Sequence, residues 1–382
     1  MTTAKIISET LYNLDYRIIT YVPGYGANQT FELLNEKFGN QLTISYHEEI
    51  ASAVAAGAAI TGTRAAVIIK THGLLKSMNC VIDVMTSGVN SSLLFIIFDD
   101  KTGTHSDNIF DIEPIVRGAK LPTVIATPAN IQQVLIDSTE KSENSELPCV
   151  IIVDADDIER TGNYSEMARK PCTKPYSRNI YKNLVTPILA DYQHQVMQRK
   201  IDSLSYHDIP KPRLPQLSQL PLEWQRVTED YIPFFEIFKT IKRDVTIGDT
   251  SLPTLFALEP YSCIDITLHM GGSIPTAIGA YLAGHTKAWA VLGDFAFLSC
   301  GIIGLQEAVN RNIPLKIVLF DNGIAGATGG QPVNTALLES LLMPYKVRTT
   351  KINLSETSQD ELNIVLWVMA ESVKLEILHI KV

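Results

Sequence analysis

Short apolar runs punctuate the first part of the chain: Ile18–Val22, Leu42–Tyr46, Ala65–Lys70, Ser92–Phe98, Pro122–Thr127 and Pro148–Asp154. They are too short for helices, rich in β-branched residues and bounded by Gly, Pro, Asp or Asn, which predicts strands. Between them lie segments with helical spacing. Ile6, Ile7, Leu11 and Leu14 share a face, a helix is expected over 28–38, and another over 129–139. The run after Glu48, EIASAVAAGAAI, is small and apolar on nearly every face, so its helix should be buried. Strand and helix in alternation predict an α/β fold with a parallel sheet covered by helices on both faces.

The last third repeats the alternation. A helix over 233–241 precedes the strand-like VTIG, IDITLHM, AWAVL and LKIVLF, and a helix over 359–372 precedes LEILHIKV. Residues 158–221 break the pattern. They are polar, carry Pro171, Pro175, Pro187, Pro210, Pro212, Pro215 and Pro221, and look helical only over 188–204. The expected organisation is a first α/β domain at 1–157, a long Pro-rich linker with one helix at 158–221, and a second α/β domain at 222–382.

Chemistry gathers at the strand ends. AWAVL ends in Gly293-Asp294 and LKIVLF in Asp321-Asn322, where open α/β sheets place their ligands. An Asp carboxylate and an Asn amide oxygen from adjacent strand ends suit a hard cation such as Mg²⁺, which completes its shell with water and ligand phosphates. Both pairs also read as ordinary turns after strands. At the start of the buried helix, Glu48 and Glu49 complement its dipole, yet a carboxylate there is costly without a partner.

These residues resemble those of thiamine-diphosphate enzymes. Gly293-Asp294, with Asn322 28 residues after Asp294, is similar to the family's metal–diphosphate motif, although Phe295 stands where the family usually has Gly. The run His47-Glu48-Glu49-Ile50-Ala51 through Gly57 resembles its catalytic-glutamate motif, with Glu48 in register and Glu49 the adjacent alternative. YVPGYGANQTFELL resembles the opening of its pyrimidine-binding domain, and LHMGGSIPTAIGA its cofactor-bending motif.

The resemblance implies thiamine diphosphate and Mg²⁺ as cofactors, a pyrimidine-binding first domain and a diphosphate-binding second domain. It implies that Asp294, Asn322 and the carbonyl of Ile324 hold the metal. Asp249, Thr250 and Ser251 match a diphosphate-side turn. Leu268 offers its carbonyl to the amino group, Met270 wedges the two rings apart unless it is an ordinary core methionine, and Gly271 lets backbone approach. Glu48 would hydrogen-bond the aminopyrimidine and share a proton with it. His72 and His105, on loops that related enzymes turn toward substrate, are the candidates for proton transfer or carboxylate binding, with Lys70 beside them; each histidine also reads as a solvated loop residue.

Within the family, MGGSIPTAIG, FLSCGIIGLQEAV and DNGIAGATGGQP resemble indolepyruvate ferredoxin oxidoreductase α subunits, whose cysteine-bearing ferredoxin domain is not expected here. The two-domain plan is similar to sulfopyruvate and phosphonopyruvate decarboxylases. The expected reaction is therefore non-oxidative decarboxylation of a 2-oxo acid to an aldehyde or a carboligation product. An oxidoreductase α-type subunit with a separate electron carrier is the alternative, and a non-catalytic cofactor-binding protein a further one. The family shares its cofactor between subunits, which implies a homodimer or homotetramer with the cofactor at the subunit interface.

Composition narrows the partners. A net charge of −9 without a basic stripe argues against nucleic acid as a partner. The five scattered cysteines form no CxxC pair, which argues against zinc and iron–sulfur sites and fits a reducing, cytoplasmic setting. The most apolar stretch, 50–69, includes Arg64 and several Thr, so a membrane span is not expected.

Overall fold

A computed structural model describes all 382 residues. Five strands form the first sheet: β1 (Ile18–Tyr21), β2 (Ala65–Lys70), β3 (Leu93–Asp99), β4 (Thr123–Ala126) and β5 (Cys149–Asp154). Their order is β1-β2-β3-β5-β4, and every pairing is parallel. The central strands β2 and β3 are buried along almost their whole length, which is why they read as continuous apolar runs rather than as alternation. The helix Glu48–Ile60 packs beside them with every residue from Ile50 to Ile60 buried. Its Ala, Gly and Ser side chains leave room for neighbouring backbone to come close.

The second sheet contains β6 (Thr246–Gly248), β7 (Ile266–Thr267), β8 (Trp289–Gly293), β9 (Lys316–Asp321), β12 (Thr349–Asn353) and β13 (Glu376–Lys381), with β10 (Ile324–Ala325) and β11 (Gln331–Pro332) forming a separate small hairpin. The order is β12-β13-β9-β8-β6-β7, again parallel throughout. One face is covered by the helix Ile232–Ile241, whose Phe234, Phe235 and Phe238 are fully buried. Phe235 stacks on Phe256 at 3.9 Å, Phe234 meets Phe320 edge-on at 5.1 Å, and Phe238 meets Trp289 edge-on at 5.1 Å. Such pairs add about 0.5–1.5 kcal/mol each beyond their burial. They lock the helix onto β8 and β9.

The chain divides into two compact units, Met1–Ser177 with His194–Ile209, and Arg178–Gln193 with Pro210–Val382. Residues 158–221 are thus divided between the units. They hold helices at Ile180–Asn183 and Ala190–Ile201 and a short 3-10 turn at Leu217–Gln219.

Some elements differ from the sequence reading. Residues 42–46 form no strand: Ser45 N–H donates to Tyr21 C=O at 2.9 Å, and Tyr46 points into solvent. The expected strand over 264–270 shrinks to Ile266–Thr267, because β6 offers only two partners. The helix expected over 129–139 runs from Ile131 to Ser145. Helices at Leu222–Glu229 and Thr335–Leu342 and the strand β12 carry no signal strong enough to have been anticipated.

The first unit holds its departing chain by two devices. The buried Asp15 carboxylate accepts from Cys172 N–H at 2.8 Å and pairs with Arg17 and Arg169, both at 2.9 Å. Burial pushes this carboxyl up, but the Cys172 N–H and the two guanidiniums hold it below the ordinary carboxylate range. Farther along, Lys174 N–H donates to Gly62 C=O at 2.8 Å, and Thr63 bridges Thr173. Gly62 has φ +104°, and a Cβ there would lie 1.8 Å from the Lys174 carbonyl oxygen. Gly62→Ala should therefore release residues 172–176. The backbone conformation alone costs about 1–3 kcal/mol for a non-glycine residue. Hydrogen exchange should show faster labelling of this segment, with β2 and β3 unchanged; unaltered protection of 172–176 would refute the clamp.

Candidate active site

The parallel register of β8 and β9 pairs Gly293 with Phe320, so both strands end at the same level. The chain turns into a helix at Asp294 on one side and into the Asn322-Gly323 turn on the other. The Asp294 carboxylate joins the two ends: Oδ1 accepts from Phe295 N–H at 2.7 Å and Oδ2 from Gly323 N–H at 2.8 Å. Gly323 has φ +68°, a conformation that favours glycine. The Asn322 Oδ1 accepts from Ile324 N–H at 3.1 Å, and its Nδ2 donates to the Tyr231 hydroxyl at 2.9 Å. Asp321 is engaged elsewhere, with Oδ2 2.9 Å from Nε2 of the buried His379.

Burial pushes the Asp294 carboxyl up to about 6, and the charge of Asp321 adds to this; the Phe295 and Gly323 N–H groups oppose it. Beside it lies a cavity of about 60 Å³. Of the residues expected at the cofactor, Thr250, Ser251, Met270, Gly293, Asp294, Phe295, Asn322 and Ile324 line it. Asp249, Leu268 and Gly271 do not line it. Asp249 is fully buried and acts through backbone: its Oδ2 accepts from Gly271 N–H at 3.3 Å. Burial pushes its carboxyl up to about 7 against the Ser251 hydroxyl and the Gly271 N–H. Leu268 is likewise fully buried.

Gly271 shapes the wall of this region. Its φ is +76°, and a Cβ there would lie 2.7 Å from Ala296 C=O and 2.8 Å from Gly301 N. The helix it abuts is wound as a π-helix over Phe297–Gly301, a form that recurs at functional sites.

The donor set fits a hard divalent cation. It offers one carboxylate and one amide oxygen, with Ile324 lining the same cavity, and no grouping of three His, Cys, Asp or Glu side chains able to hold a metal occurs in the chain. A single carboxylate leaves half of the charge of Mg²⁺ uncompensated, so such a site suits a cation that also carries waters and an anionic ligand such as a diphosphate.

In the first unit a cleft of about 440 Å³ is lined by Glu48, Lys70, His72, Gly73, Thr104, His105, Ser106 and Asp107, among others. Glu48 begins its helix, and a Cβ on Gly73 would lie 2.8 Å from Glu48 Cγ, so glycine makes room for the carboxylate. Its side chain is 19% exposed and pairs with Lys76 at 2.9 Å; the partner that its position demands is this lysine. Glu49 does not line the cleft and accepts from Asn79 Nδ2 at 2.9 Å.

The histidines sit on opposite flanks of the 100–110 loop. The His105 ring stacks on Tyr25 at 3.5 Å with Nε2 3.7 Å from Asp156. The His72 Nε2 lies 2.6 Å from Asn108 Oδ1, and its ring meets the edge of Phe110. Lys70 does not face the cleft as a free cation, since its ammonium donates to His105 C=O and Ser106 Oγ. Asp100 folds the loop by accepting from His105 N–H at 2.7 Å and Thr104 N–H at 3.2 Å. Burial raises this carboxyl, but the Ser106 hydroxyl, the His105 N–H and Lys70 bring it below the ordinary range. Asp100, Ser106, Tyr25 and Tyr231 were not singled out from sequence. Asp100, at the end of a strand, carried the same signal as Asp321; Tyr25 lay within YVPGYGANQTFELL and Ser106 beside His105 without being marked out, and Tyr231 carried no signal.

Comparison with known proteins bears on both units. Residues 247–372 match the family model described as the thiamine pyrophosphate enzyme C-terminal TPP binding domain. The curated indolepyruvate oxidoreductase subunit IorA of Archaeoglobus fulgidus is 35% identical over 107 residues, 26% of this chain and 17% of that protein. IorA of Methanothermobacter marburgensis is 37% identical over 84 residues, 22% of this chain and 14% of that protein. The matches thus span under a fifth of those relatives' length. Among solved structures, a Mycobacterium smegmatis protein assigned as a thiamin diphosphate-dependent enzyme covers 100% of this chain at TM-score 0.69 and 13% identity. Benzoylformate decarboxylase from Polynucleobacter necessarius covers 100% at TM-score 0.66 and 11% identity. Residues 247–372 therefore match a thiamine-pyrophosphate-binding domain, in a chain with the fold of thiamin diphosphate-dependent enzymes.

Proposed function

We propose that the protein is a cytoplasmic thiamine-diphosphate- and Mg²⁺-dependent enzyme that decarboxylates a 2-oxo acid without an external oxidant. The observation that carries this reading is the pairing of Asp294 and Asn322 at the ends of β8 and β9, a hard-oxygen site with one carboxylate that calls for an anionic co-ligand. Thiamine diphosphate, when bound, supplies the carbon nucleophile and the electron sink for loss of CO₂. Asp294 and Asn322 would hold the metal and through it the diphosphate. Met270 would support the cofactor's bent shape, and Asp249 would hold the Gly271 turn in place from behind. Glu48 would hold the proton exchanged with the aminopyrimidine, and His105 or His72 would bind the substrate carboxylate or move a proton to the product. The reading carries an assembly of at least two copies of the chain.

A second reading, an oxidoreductase α-type subunit working with a separate electron carrier, is favoured by the identity to the two IorA proteins. One assay separates the two. Purified protein with thiamine diphosphate and Mg²⁺ should release CO₂ and an aldehyde or ligation product from one of a panel of 2-oxo acids, with no oxidant added. Dye reduction that needs a partner protein would support the second reading instead. Cofactor binding without turnover on any acid would point to a non-catalytic role.

Asp294→Ala should abolish Mg²⁺-dependent binding of thiamine diphosphate, because the diphosphate loses its bridging cation. Calorimetry giving the wild-type affinity would remove the metal assignment.

Glu48→Gln keeps shape and hydrogen bonding but removes the acidic proton, so the rate should fall roughly 10²–10⁴-fold. Glu49→Gln should cost far less, since Glu49 faces Asn79 rather than the cleft. Hydrogen–deuterium exchange at the thiazolium C2 reads the difference: slow in the Glu48 variant, near wild type in the Glu49 variant. The reverse pattern would transfer the role to Glu49.

A further inference from the structure

Tyr231 lies outside every motif, 91 residues from Asn322, yet its hydroxyl meets the Asn322 amide. We propose that Tyr231 is a positioning residue for the metal ligand Asn322, its phenol oxygen fixing which face of the amide the cation meets. The proposal rests on the reading of Asp294 and Asn322 as the metal–diphosphate site.

The Ile324 contact sets which way the amide faces, and the phenol, whose hydroxyl can donate or accept, then fixes its torsion. An amide nitrogen only donates, so at 2.9 Å the phenol oxygen must accept from Nδ2. On the other side, Ile324 N–H at 3.1 Å requires Oδ1. A flipped amide would set Nδ2 against the Ile324 N–H, donor facing donor. Without the phenol, the Ile324 contact alone would still select the flip, but the side chain could swing about it. With both, the torsion is fixed and the second lone pair of Oδ1 keeps one direction.

The phenol itself cannot drift. Tyr231 is 3% exposed and precedes the helix Ile232–Ile241, which Phe234, Phe235 and Phe238 anchor to the sheet. Its ring lies 4.9 Å from that of Phe320 and 6.4 Å from that of Phe256. Phe320 is on β9, two residues before Asn322, so the Tyr231 ring packs on the strand that leads into the amide it orients. Burial and the nearby Asp294 and Asp230 charges push the phenol up, against the lowering pull of the Asn322 bond, so it stays neutral. Tyr231 also lines the cavity beside Asp294.

Hydrogen-bond partners of metal ligands typically govern about 10–100-fold in metal affinity. Tyr231→Phe removes one oxygen and keeps the ring in its aromatic cluster, so the fold should persist. The experiment is a Mn²⁺ titration followed by electron paramagnetic resonance at saturating thiamine diphosphate, with a circular-dichroism melt of each protein. Tyr231→Phe should bind Mn²⁺ about 10-fold or more weakly at an unchanged melting profile. On an Asn322→Ala background, which leaves Asp294 to hold Mn²⁺ but no amide to orient, the same Tyr231→Phe change should cost nothing further. Wild-type Mn²⁺ affinity in Tyr231→Phe, or the same loss on both backgrounds, would overturn the positioning role alone. Wild-type protein that takes up neither cofactor nor Mn²⁺ would overturn the site reading and the inference together.

Discussion

One carboxylate ties the second sheet to its site. Asp294 sits in the gap between two parallel strand ends and takes a backbone N–H from each side, Phe295 in the helix that follows β8 and Gly323 in the turn that follows β9. Parallel strands leave such ends without ladder partners, and the helix that follows β8 begins with unpaired N–H groups. A single buried acceptor closes both. The same burial that makes those bonds strong leaves the carboxylate short of positive charge, with Asp321 nearby making this worse and His379 drawing Asp321 aside. A cation placed there would relieve the local electrostatics, with water and an anionic ligand left to complete its shell.

The first unit solves a different problem with small residues. A helix buried on all sides can be surrounded only if neighbouring backbone comes close, and the Ala-rich Glu48–Ile60 segment permits it. The neighbouring helix Thr71–Ser87 then receives both glutamates on one side. Gly73 and Lys76 accommodate Glu48, and Asn79 takes Glu49. The division between a cleft-lining and a surface-facing carboxylate follows from the turn of roughly 100° per residue along a helix.

Legibility in the sequence followed locality. The strands β2, β3, β8 and β9 were visible because buried parallel strands are apolar throughout, and Asp294 and Asn322 because they directly follow two of them. Leu42–Tyr46 looked the same and is no strand, since whether an apolar run joins a sheet depends on chain elsewhere. Tyr231 was invisible for the converse reason: nothing in YIPFF distinguishes a core tyrosine from one whose hydroxyl emerges beside a strand end. The tie between Lys70 and the 100–110 loop was hidden likewise, so a lysine that looked available to substrate proves to be a strut.

The π-wound turn at Phe297–Gly301 sets a length standard for this region. A π turn holds one residue more than the α turn it replaces, so everything from Ile302 to Asn310 is rotated by about 100° relative to an uninterrupted helix starting at Asp294. The buried face of that later segment, Gly304, Leu305 and Ala308, meets its neighbours, Pro275 and Ile274 of the Ser273–Leu282 helix among them, only because the extra residue is there. Here residue number, rather than residue type, carries structural information. A chain shortened by one residue in this turn would keep its composition and helical propensity, yet would present the wrong side of the helix to its own core.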